Sequence, residues 1–240
     1  MFGKSARSAL VVLSGGQDST TCLFWAMRHF DKVHALTFDY GQRHRREIES
    51  ATMVARLAGV ASHDIVEVPD ILKSRSPLTD KDAQLETYTD FHSMDAIIGD
   101  RVELTFVPMR NAFFLTLAAN RALALDCFDV VTGVCEADNA NYPDCREKFI
   151  QSQQRTINEA LGLYSFHIHT PLMHLSKADS IKLAQDLPGC MEALSYSHTC
   201  YAGECPPCGK CHACVLRAEG FRKAGVGDPL VERHTPPRAA

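Results

Sequence analysis

A chain of 240 residues with a net charge of −4 is long enough to bury a large core, so it needs neither disulfides nor a metal merely to fold. This charge argues against a nucleic-acid backbone as a direct partner, because proteins that bind nucleic acid usually carry a basic excess. No apolar run approaches the roughly 18 residues of a membrane span, and the N-terminus has no apolar stretch long enough for a signal peptide. We therefore expect a cytoplasmic protein without membrane contact.

Apolar stretches rich in β-branched residues alternate with amphipathic stretches along most of the chain. Strands are predicted at residues 8–13, 32–38, 63–68, 128–134 and 166–171. Helices are predicted at residues 18–30, 44–59, 110–125, 144–161 and 176–187. This alternation predicts an α/β fold, with a Rossmann-like parallel five-stranded sheet and helices on both faces. Ligands of such sheets bind beyond the carboxyl ends of the strands.

Two segments fall outside this alternation. Residues 70–105 are polar and form either a flap over the site or an irregular surface excursion. Residues 226–240 are predicted to be a disordered tail. We therefore divide the chain into an α/β domain at 1–187, a small cysteine-containing region at 188–225, and the tail.

The hexapeptide SGGQDS at residues 14–19 joins the first predicted strand to the first predicted helix. Its two glycines leave backbone N–H groups open at a helix N-terminus, which is a ready anion site. Neither of the common phosphate-loop patterns, G-x-x-x-x-G-K-[ST] and G-x-G-x-x-G, occurs. The hexapeptide resembles the S-G-G-x-D-S loop of ATP pyrophosphatases, which implies a fold like that of the adenine nucleotide alpha hydrolases. A glycine-rich turn without a ligand is the alternative.

This resemblance implies attack on the α-phosphorus of ATP. The loop N–H groups and the Ser14 and Ser19 hydroxyls would hold the departing pyrophosphate, and Asp18 would meet Mg²⁺. Lys177 lies in the first turn of the helix after the last predicted strand, where enzymes of this class commonly keep a phosphate-facing lysine. A solvated surface lysine is the alternative there.

Five of the ten cysteines lie close together in the C-terminal part of the chain. Cys200, Cys208, Cys211 and Cys214 give the spacing C-x7-C-x2-C-x2-C, whose four thiolates can converge on one tetrahedral ion and predict structural zinc. Cys205 either replaces Cys200 as a ligand or stays outside the site. A redox-active dithiol or a [4Fe–4S] cluster would use the same residues.

Five longer stretches carry a more specific resemblance. They are FDYGQRHRREIE (38–49), FVPMRNAFFLTLAAN (106–120), TGVCEADNANYPDCREKFI (132–150), HTPLMHLSKAD (169–179) and TCYAGECPPCGKCHACVLRAEGF (199–221). In this order they resemble the family of 7-cyano-7-deazaguanine synthases, which serves queuosine biosynthesis. The family converts 7-carboxy-7-deazaguanine, ammonia and ATP to the nitrile through adenylated carboxylate and amide intermediates. The resemblance to this family also implies a homodimer.

The resemblance implies site residues as well. The stretch that matches the ATP-binding segment of the family consists of Leu13, Ser14, Gly15, Gly16, Gln17, Asp18, Ser19, Thr20, Thr21, Cys22 and Leu23. Cys200, Cys208, Cys211 and Cys214 match its zinc ligands, which leaves Cys205 outside the pattern. Met109 stands where some members have a small residue, so it is expected to reshape the pocket wall.

Substrate-binding candidates follow from the chemistry of the deazaguanine. Glu136 or Asp138 can accept hydrogen bonds from its N1–H and 2-amino group, Tyr142 can stack on its ring, and Arg110 can pair with its carboxylate or with an ATP phosphate. The neighbouring candidates are Asn111, Asp144 and Arg146. For each of them a capping or surface role is the alternative.

Other functions remain open. An enzyme that stops at the amide would use the same loop and metal site, and so would a tRNA thiolase, against which the net charge of −4 counts. A non-catalytic zinc-ribbon module would leave Asp18 and the loop unexplained. The basic run RHRRE at residues 43–47 is interpreted as a solvated helix start rather than a nucleic-acid patch.

Overall fold

The computed structural model describes residues 7–69, 71–136 and 140–235. Its strands are β1 (Ser8–Val12), β2 (Lys32–Asp39), β3 (Ser62–Glu67), β4 (Asp129–Val131) and β5 (His167–His169). Its helices are α1 (Gln17–His29), α2 (Arg46–Ala58), α3 (Phe91–Ile98), α4 (Arg110–Ala124), α5 (Glu147–Leu161), α6 (Lys177–Gln185), α7 (Cys190–Leu194), α8 (His212–Ala224) and α9 (Pro229–His234), and a 3-10 turn covers Pro143–Cys145. Within these described ranges, no helix combines the length and the apolar character that spanning a bilayer requires.

All five strands pair in parallel, in the order β3-β2-β1-β4-β5. The chain first builds the sheet outward from β1 to β3 and then crosses to the other side of β1 to add β4 and β5. The order therefore reverses between β1 and β4. In open α/β sheets, ligands bind beyond the carboxyl ends of the strands at such a reversal.

Separate apolar cores cover the two faces of the sheet. Successive residues of a strand point to opposite faces, and in β1 the buried Leu10 and Val11 belong to different cores. Val11 lies in the core that α1, α2, α6 and α7 cover, together with Leu23. Leu10 lies in the core under α4 and α5, together with Leu115. The prediction of a five-stranded parallel sheet with helices on both faces is confirmed.

The segment at residues 70–105 contains a helix, α3, that the sequence pattern did not predict. The helix begins with a capping box, in which Asp90 accepts from the Ser93 N–H at 2.8 Å and the Ser93 hydroxyl accepts from the Asp90 N–H at 3.2 Å. Met94 of α3 packs into a small apolar cluster with Val215 of α8. The segment is thereby attached to the helix that contains Cys214.

The prediction of a disordered tail over 226–240 is wrong for the residues up to 235, where the structure contains α9. Asp228 caps this helix and pairs with the buried guanidinium of Arg217 in α8, with Nε and Oδ2 2.7 Å apart. The cap thus depends on a partner outside the segment. Residues 236–240 lie outside the described part of the chain, and the division into an α/β domain and a C-terminal region remains a prediction.

Candidate active site

A cavity of about 450 Å³ opens at the carboxyl ends of β1, β2 and β4, where the strand order reverses. Val12, Phe38 and Thr132 line it from these three strands or from the residue after them. His198 and Tyr201 line it from the segment that carries the cysteines. The volume is within the range of small-molecule sites, and the place is the one expected for a ligand of this fold.

The loop after β1 forms part of the cavity wall and is held by its own hydroxyl groups. The Ser14 and Ser19 Oγ atoms lie 3.0 Å apart, and the Ser19 hydroxyl donates to the Gly16 carbonyl at 3.2 Å. Helix α1 begins after Gly16, so no side chain caps its first-turn N–H groups. A helix N-terminus of this kind favours an anion, and the loop can therefore hold a phosphate group.

Gly15 allows the loop to lie directly against α2. Its φ is +83°, and a Cβ at this position would come within 2.3 Å of the Glu47 carbonyl oxygen and 2.6 Å of the Ala51 nitrogen. A side chain would therefore collide with backbone atoms that cannot move aside. The first turn of α2 and the loop are fixed relative to each other by this contact.

Lys177 and Asp18 form an ion pair behind the loop. The Lys177 ammonium lies 3.0 Å and 2.8 Å from the two carboxylate oxygens of Asp18. The lysine is the first residue of α6, after its N-cap Ser176, and its side chain is only 11 % exposed. It is not a solvated surface lysine.

The structure divides the proposed ATP-binding stretch into two sets, apart from the buried Gly15, which is not on the cavity wall. The members that line the cavity are Leu13, Ser14, Gly16, Gln17, Asp18 and Ser19. The side chains buried in the interior are those of Thr20, Thr21, Cys22 and Leu23. The second set lies within α1 with its side chains packed in the interior, and the structure does not bring these side chains to the cavity. Burial raises the pKa of the Cys22 thiol, so this cysteine is protonated at neutral pH.

The substrate candidates divide in the same way. Those on the cavity wall are Arg110, Asn111, Glu136, Tyr142 and Arg146. Asp144 is buried and does not line the cavity, and Asp138 lies outside the described residues. Arg110 begins α4, and its Nη1 lies 3.5 Å from the Tyr40 hydroxyl.

Two of the acidic candidates are held by backbone groups. The Glu136 Oε1 accepts from the Glu147 N–H at 2.9 Å, at the start of α5. The Asp144 carboxylate accepts from the Asn111 N–H at 3.3 Å, at the start of α4. Burial raises the pKa of Asp144, against the charge of Arg110. For both acids the structure contains the capping role that the sequence analysis gave as the alternative.

Tyr142 is oriented by a buried acid that the sequence analysis missed. Glu103 is 1 % exposed and accepts from the Tyr142 hydroxyl at 3.1 Å and from the Thr105 N–H at 2.7 Å. The ring of Phe106 stacks on that of Tyr142 with centroids 5.7 Å apart. The available signal was the acid itself within the run VELTF, because a buried carboxylate requires partners. These contacts fix the plane of the Tyr142 ring at the cavity wall.

Glu47 is a second acid that the sequence analysis missed. It lies in the first turn of α2 and lines the cavity, whereas the run at 43–47 was interpreted as a solvated helix start. Burial raises the pKa of Glu47 to about 7, and the opposite charge of Arg110 acts in the other direction. The signal was its spacing, because Glu47 stands four residues before Ala51 and so shares the face predicted to be buried.

The four predicted metal ligands converge. The sulfur atoms of Cys200, Cys208, Cys211 and Cys214 all lie within 4.8 Å of one another. Cys205 is exposed, and its sulfur lies 3.4 Å from His234 Nε2, so it stays outside the cluster. Four thiols at this separation fit a single tetrahedral metal ion.

The cysteine-containing segment also contacts the phosphate loop. The His198 N–H donates to the Gly15 carbonyl at 2.8 Å, two residues before Cys200. The buried Arg217 of α8 donates to the Thr199 hydroxyl at 2.9 Å. The cysteine cluster and the cavity are thus joined through a segment of three residues.

Met109 does not reshape the pocket wall, contrary to the expectation from the sequence. Its side chain is 69 % exposed and is not among the residues that line the cavity. It caps α4 in the left-handed region, with φ +65°. Residues without a Cβ tolerate this conformation best, which explains why a small residue suits the position.

The comparisons with known proteins agree with the geometry. The sequence profile of the family described as "Queuosine biosynthesis protein QueC" matches residues 8–225. The 7-cyano-7-deazaguanine synthase of Gloeobacter violaceus is 50% identical over 230 residues, which are 93% of this chain and 95% of the relative. The enzyme of the same name from Laribacter hongkongensis is 48% identical over 94% of each chain.

Among solved structures, a 4-thiouridine synthetase in complex with RNA and bound ATP has a TM-score of 0.47 and 16% identity. The match covers 95% of this chain and 53% of that one.

Proposed function

The chain belongs to the QueC family of queuosine biosynthesis proteins, and we propose from this membership that it is a 7-cyano-7-deazaguanine synthase. The observation that carries the proposal is the shared cavity, in which the loop at 14–19 meets Arg110 and Tyr142. One site thus offers an anion-binding helix start, a cation and an aromatic ring, which suit ATP and a flat carboxylated base.

ATP is assigned to the loop and the stretch from Leu13 to Leu23. The first-turn N–H groups of α1 and the hydroxyls of Ser14 and Ser19 bind the pyrophosphate as it leaves. Carboxylate oxygens are ligands that Mg²⁺ prefers, so we assign the Mg²⁺ that accompanies ATP to Asp18. Lys177 orients the Asp18 carboxylate and adds a positive charge behind the loop.

The deazaguanine is assigned to the wall formed by α4 and the segment after β4. Tyr142, held by Glu103, stacks on the ring, and Arg110 pairs with the carboxylate. Glu136 or Asp138 remains the proposed acceptor for the N1–H and 2-amino group. Further contacts are proposed for Asn111, Asp144 and Arg146, with Asp144 acting through Asn111.

The reaction requires two activations of the same carbon. A carboxylate oxygen attacks the α-phosphorus of ATP and pyrophosphate leaves, so that the C–O bond has a good leaving group. Ammonia attacks the carbonyl carbon, AMP departs with the C–O electron pair, and loss of a proton from nitrogen gives the amide. The amide oxygen then attacks the α-phosphorus of a second ATP, pyrophosphate leaves, and one N–H proton is lost. Loss of AMP and of the last N–H proton gives the nitrile.

The cysteine cluster is assigned a structural zinc ion. Its four sulfurs leave no open coordination position, so the ion supplies no reacting group and instead holds the segment at 198–201 against the loop. We also propose a cytoplasmic homodimer, as the family resemblance implies. Light scattering of the purified protein, with twice the monomer mass expected, tests the assembly.

Mass spectrometry of the product tests the function. The purified protein is incubated with 7-carboxy-7-deazaguanine, ammonium, Mg²⁺ and ATP, and AMP and pyrophosphate are followed in parallel. We expect the nitrile with two AMP per product. Amide alone would identify the amide-forming alternative. In a parallel incubation with tRNA and a sulfur donor, sulfur incorporation into tRNA would identify the thiolase. Asp18→Asn should lower pyrophosphate release at least 100-fold while zinc content is retained.

A further inference from the structure

Glu47 lies beside the reacting end of the cavity. Its own carbonyl oxygen is the atom that a Cβ at Gly15 would strike, so the first turn of α2 is pressed against the phosphate loop. The residue also lines the cavity together with Ser14 and Arg110. Glu47 therefore lies at the cavity wall next to the loop, and its carboxylate is within the influence of the Arg110 charge.

Three charged or titratable groups face Glu47 from the elements around it. They are Arg110 of α4, Tyr40 after β2, and Tyr201 of the cysteine-containing segment. Burial raises the pKa of both phenols, so both are neutral at pH 7 and Arg110 is the only charge among the three. One cation thus keeps the carboxylate accessible to ionisation.

The Glu47 carboxylate has no structural task comparable to those of Glu136 and Asp144. Within the described ranges, neither a hydrogen bond nor an ion pair joins it to another protein group, and only the more distant charge of Arg110 acts on it. A cavity-facing acid whose pKa is about 7 is half ionised at neutral pH, so it can accept a proton and release it again in each turnover.

We propose that Glu47 is the proton acceptor in the final step, in which the adenylated amide loses AMP. This assignment rests on the proposed function. In that step the N–H bond breaks and its electron pair forms the third bond between nitrogen and carbon. The C–O bond breaks and its electrons leave on AMP, while the proton moves to the Glu47 carboxylate and then to water.

The position of Glu47 favours this step for a geometric reason. The nitrogen that loses its proton and the oxygen that departs on AMP are attached to the same carbon. The base must therefore lie close to the loop that holds the phosphates, and Glu47 is fixed there by the contact with Gly15.

Product analysis of Glu47→Gln tests the proposal. The variant should form the amide within a few-fold of the wild-type rate and should form the nitrile about 100-fold more slowly or worse. Amide would then accumulate, with one AMP released for each. In the wild-type enzyme the rate of the nitrile-forming step should decrease as the pH falls below 7, because Glu47 becomes protonated. In Glu47→Gln this pH dependence should be absent. Glu49→Gln, an exposed acid two residues along the same helix, is the matched control.

Two outcomes would overturn the assignment. They are a Glu47→Gln variant that makes nitrile as fast as wild type, and one in which amide and nitrile formation fall equally with zinc and fold intact. A wild-type protein that makes no nitrile would refute the proposed function itself, before the variant is considered.

Discussion

The Lys177 ammonium lies 2.8 Å from one carboxylate oxygen of Asp18, although the two residues are 159 positions apart in the chain. The pair joins the first turn of α1 to the first turn of α6. Its side chains are 11 % and 26 % exposed, so the interaction is only partly screened by water. The position of the Lys177 side chain therefore depends on how α6 packs, and α6 packs against α8.

Gly220 of α8 should determine the position of the Lys177 side chain. A Cβ at Gly220 would lie 2.5 Å from Lys177 Cγ and 3.0 Å from Ile181 Cδ1. We expect Gly220→Ala to displace the lysine stem, lowering kcat about 10-fold and the free energy of unfolding by about 1–3 kcal/mol. Steady-state kinetics and urea denaturation measure both effects, with Ala218→Ser on the exposed face as control. Wild-type kcat in Gly220→Ala would show that the close packing does not position Lys177.

The stability of the protein should depend on the ionisation of Glu47. Its pKa in the folded chain is about 7, above the ordinary value of 4.5, so the folded state binds the extra proton between these values. The contribution of Glu47 to the free energy of unfolding is therefore complete below about pH 4.5, and it is lost as the pH rises through about 7. At pH 8, the free energy of unfolding of Glu47→Gln should therefore be about 1–3 kcal/mol higher than that of wild type. The range is lowered because Glu47 lines an open cavity, where solvent screens its charge.

Urea denaturation at pH 5 and pH 8 measures this difference, which should shrink at the lower pH. Glu49→Gln provides the comparison. An equal gain at both pH values would mean that burial of the charge is not its cause.

Substitutions of neighbouring cysteines should have different effects on metal content and stability. Cys208→Ser removes one of four converging thiols and should lose the metal together with several kcal/mol of stability. Cys205→Ser should leave both unchanged, because Cys205 is exposed outside the cluster. Elemental analysis and thermal denaturation measure the two properties. If Cys205→Ser released the metal, the assignment of the four ligands would be wrong.

Met109 should be a site where stability can be raised without loss of activity. Its φ of +65° is unfavourable for a residue with a Cβ, and its side chain is off the cavity wall. Met109→Gly should gain about 0.5–1 kcal/mol, because relief of strain exceeds the entropy that glycine loses on folding. Met109→Ala retains the Cβ and should show no such gain. Equal stability of the two variants would contradict the strain argument.

The sequence predicted the features that depend on local pattern. The β-branched runs marked the five strands, and the glycines and acid of SGGQDS marked the loop, because turn chemistry and periodicity are short-range properties. Spacing also identified the cysteine cluster, and the family resemblance selected Cys200 rather than Cys205 as its first ligand. What the sequence missed depends on packing between distant segments.

Particular residues show why. Glu47 was assigned to solvent because its neighbours are basic, although its spacing from Ala51 places it on the face of α2 that packs against Gly15. Glu103 lies in a segment without periodicity, and its partner Tyr142 is 39 positions away. Helix α9 was missed because its cap is held by Arg217 of another helix.

The link from the His198 N–H to the Gly15 carbonyl has a consequence for synthesis of the protein. The loop at 14–19 leaves the ribosome before the residues that brace it, because His198 lies much further along the chain. A nascent chain that has passed the loop but not yet His198 displays the motif without its supports. We expect such unfinished chains to consume no ATP. The order of translation would then prevent the reaction until the segment that bears the cysteines has emerged.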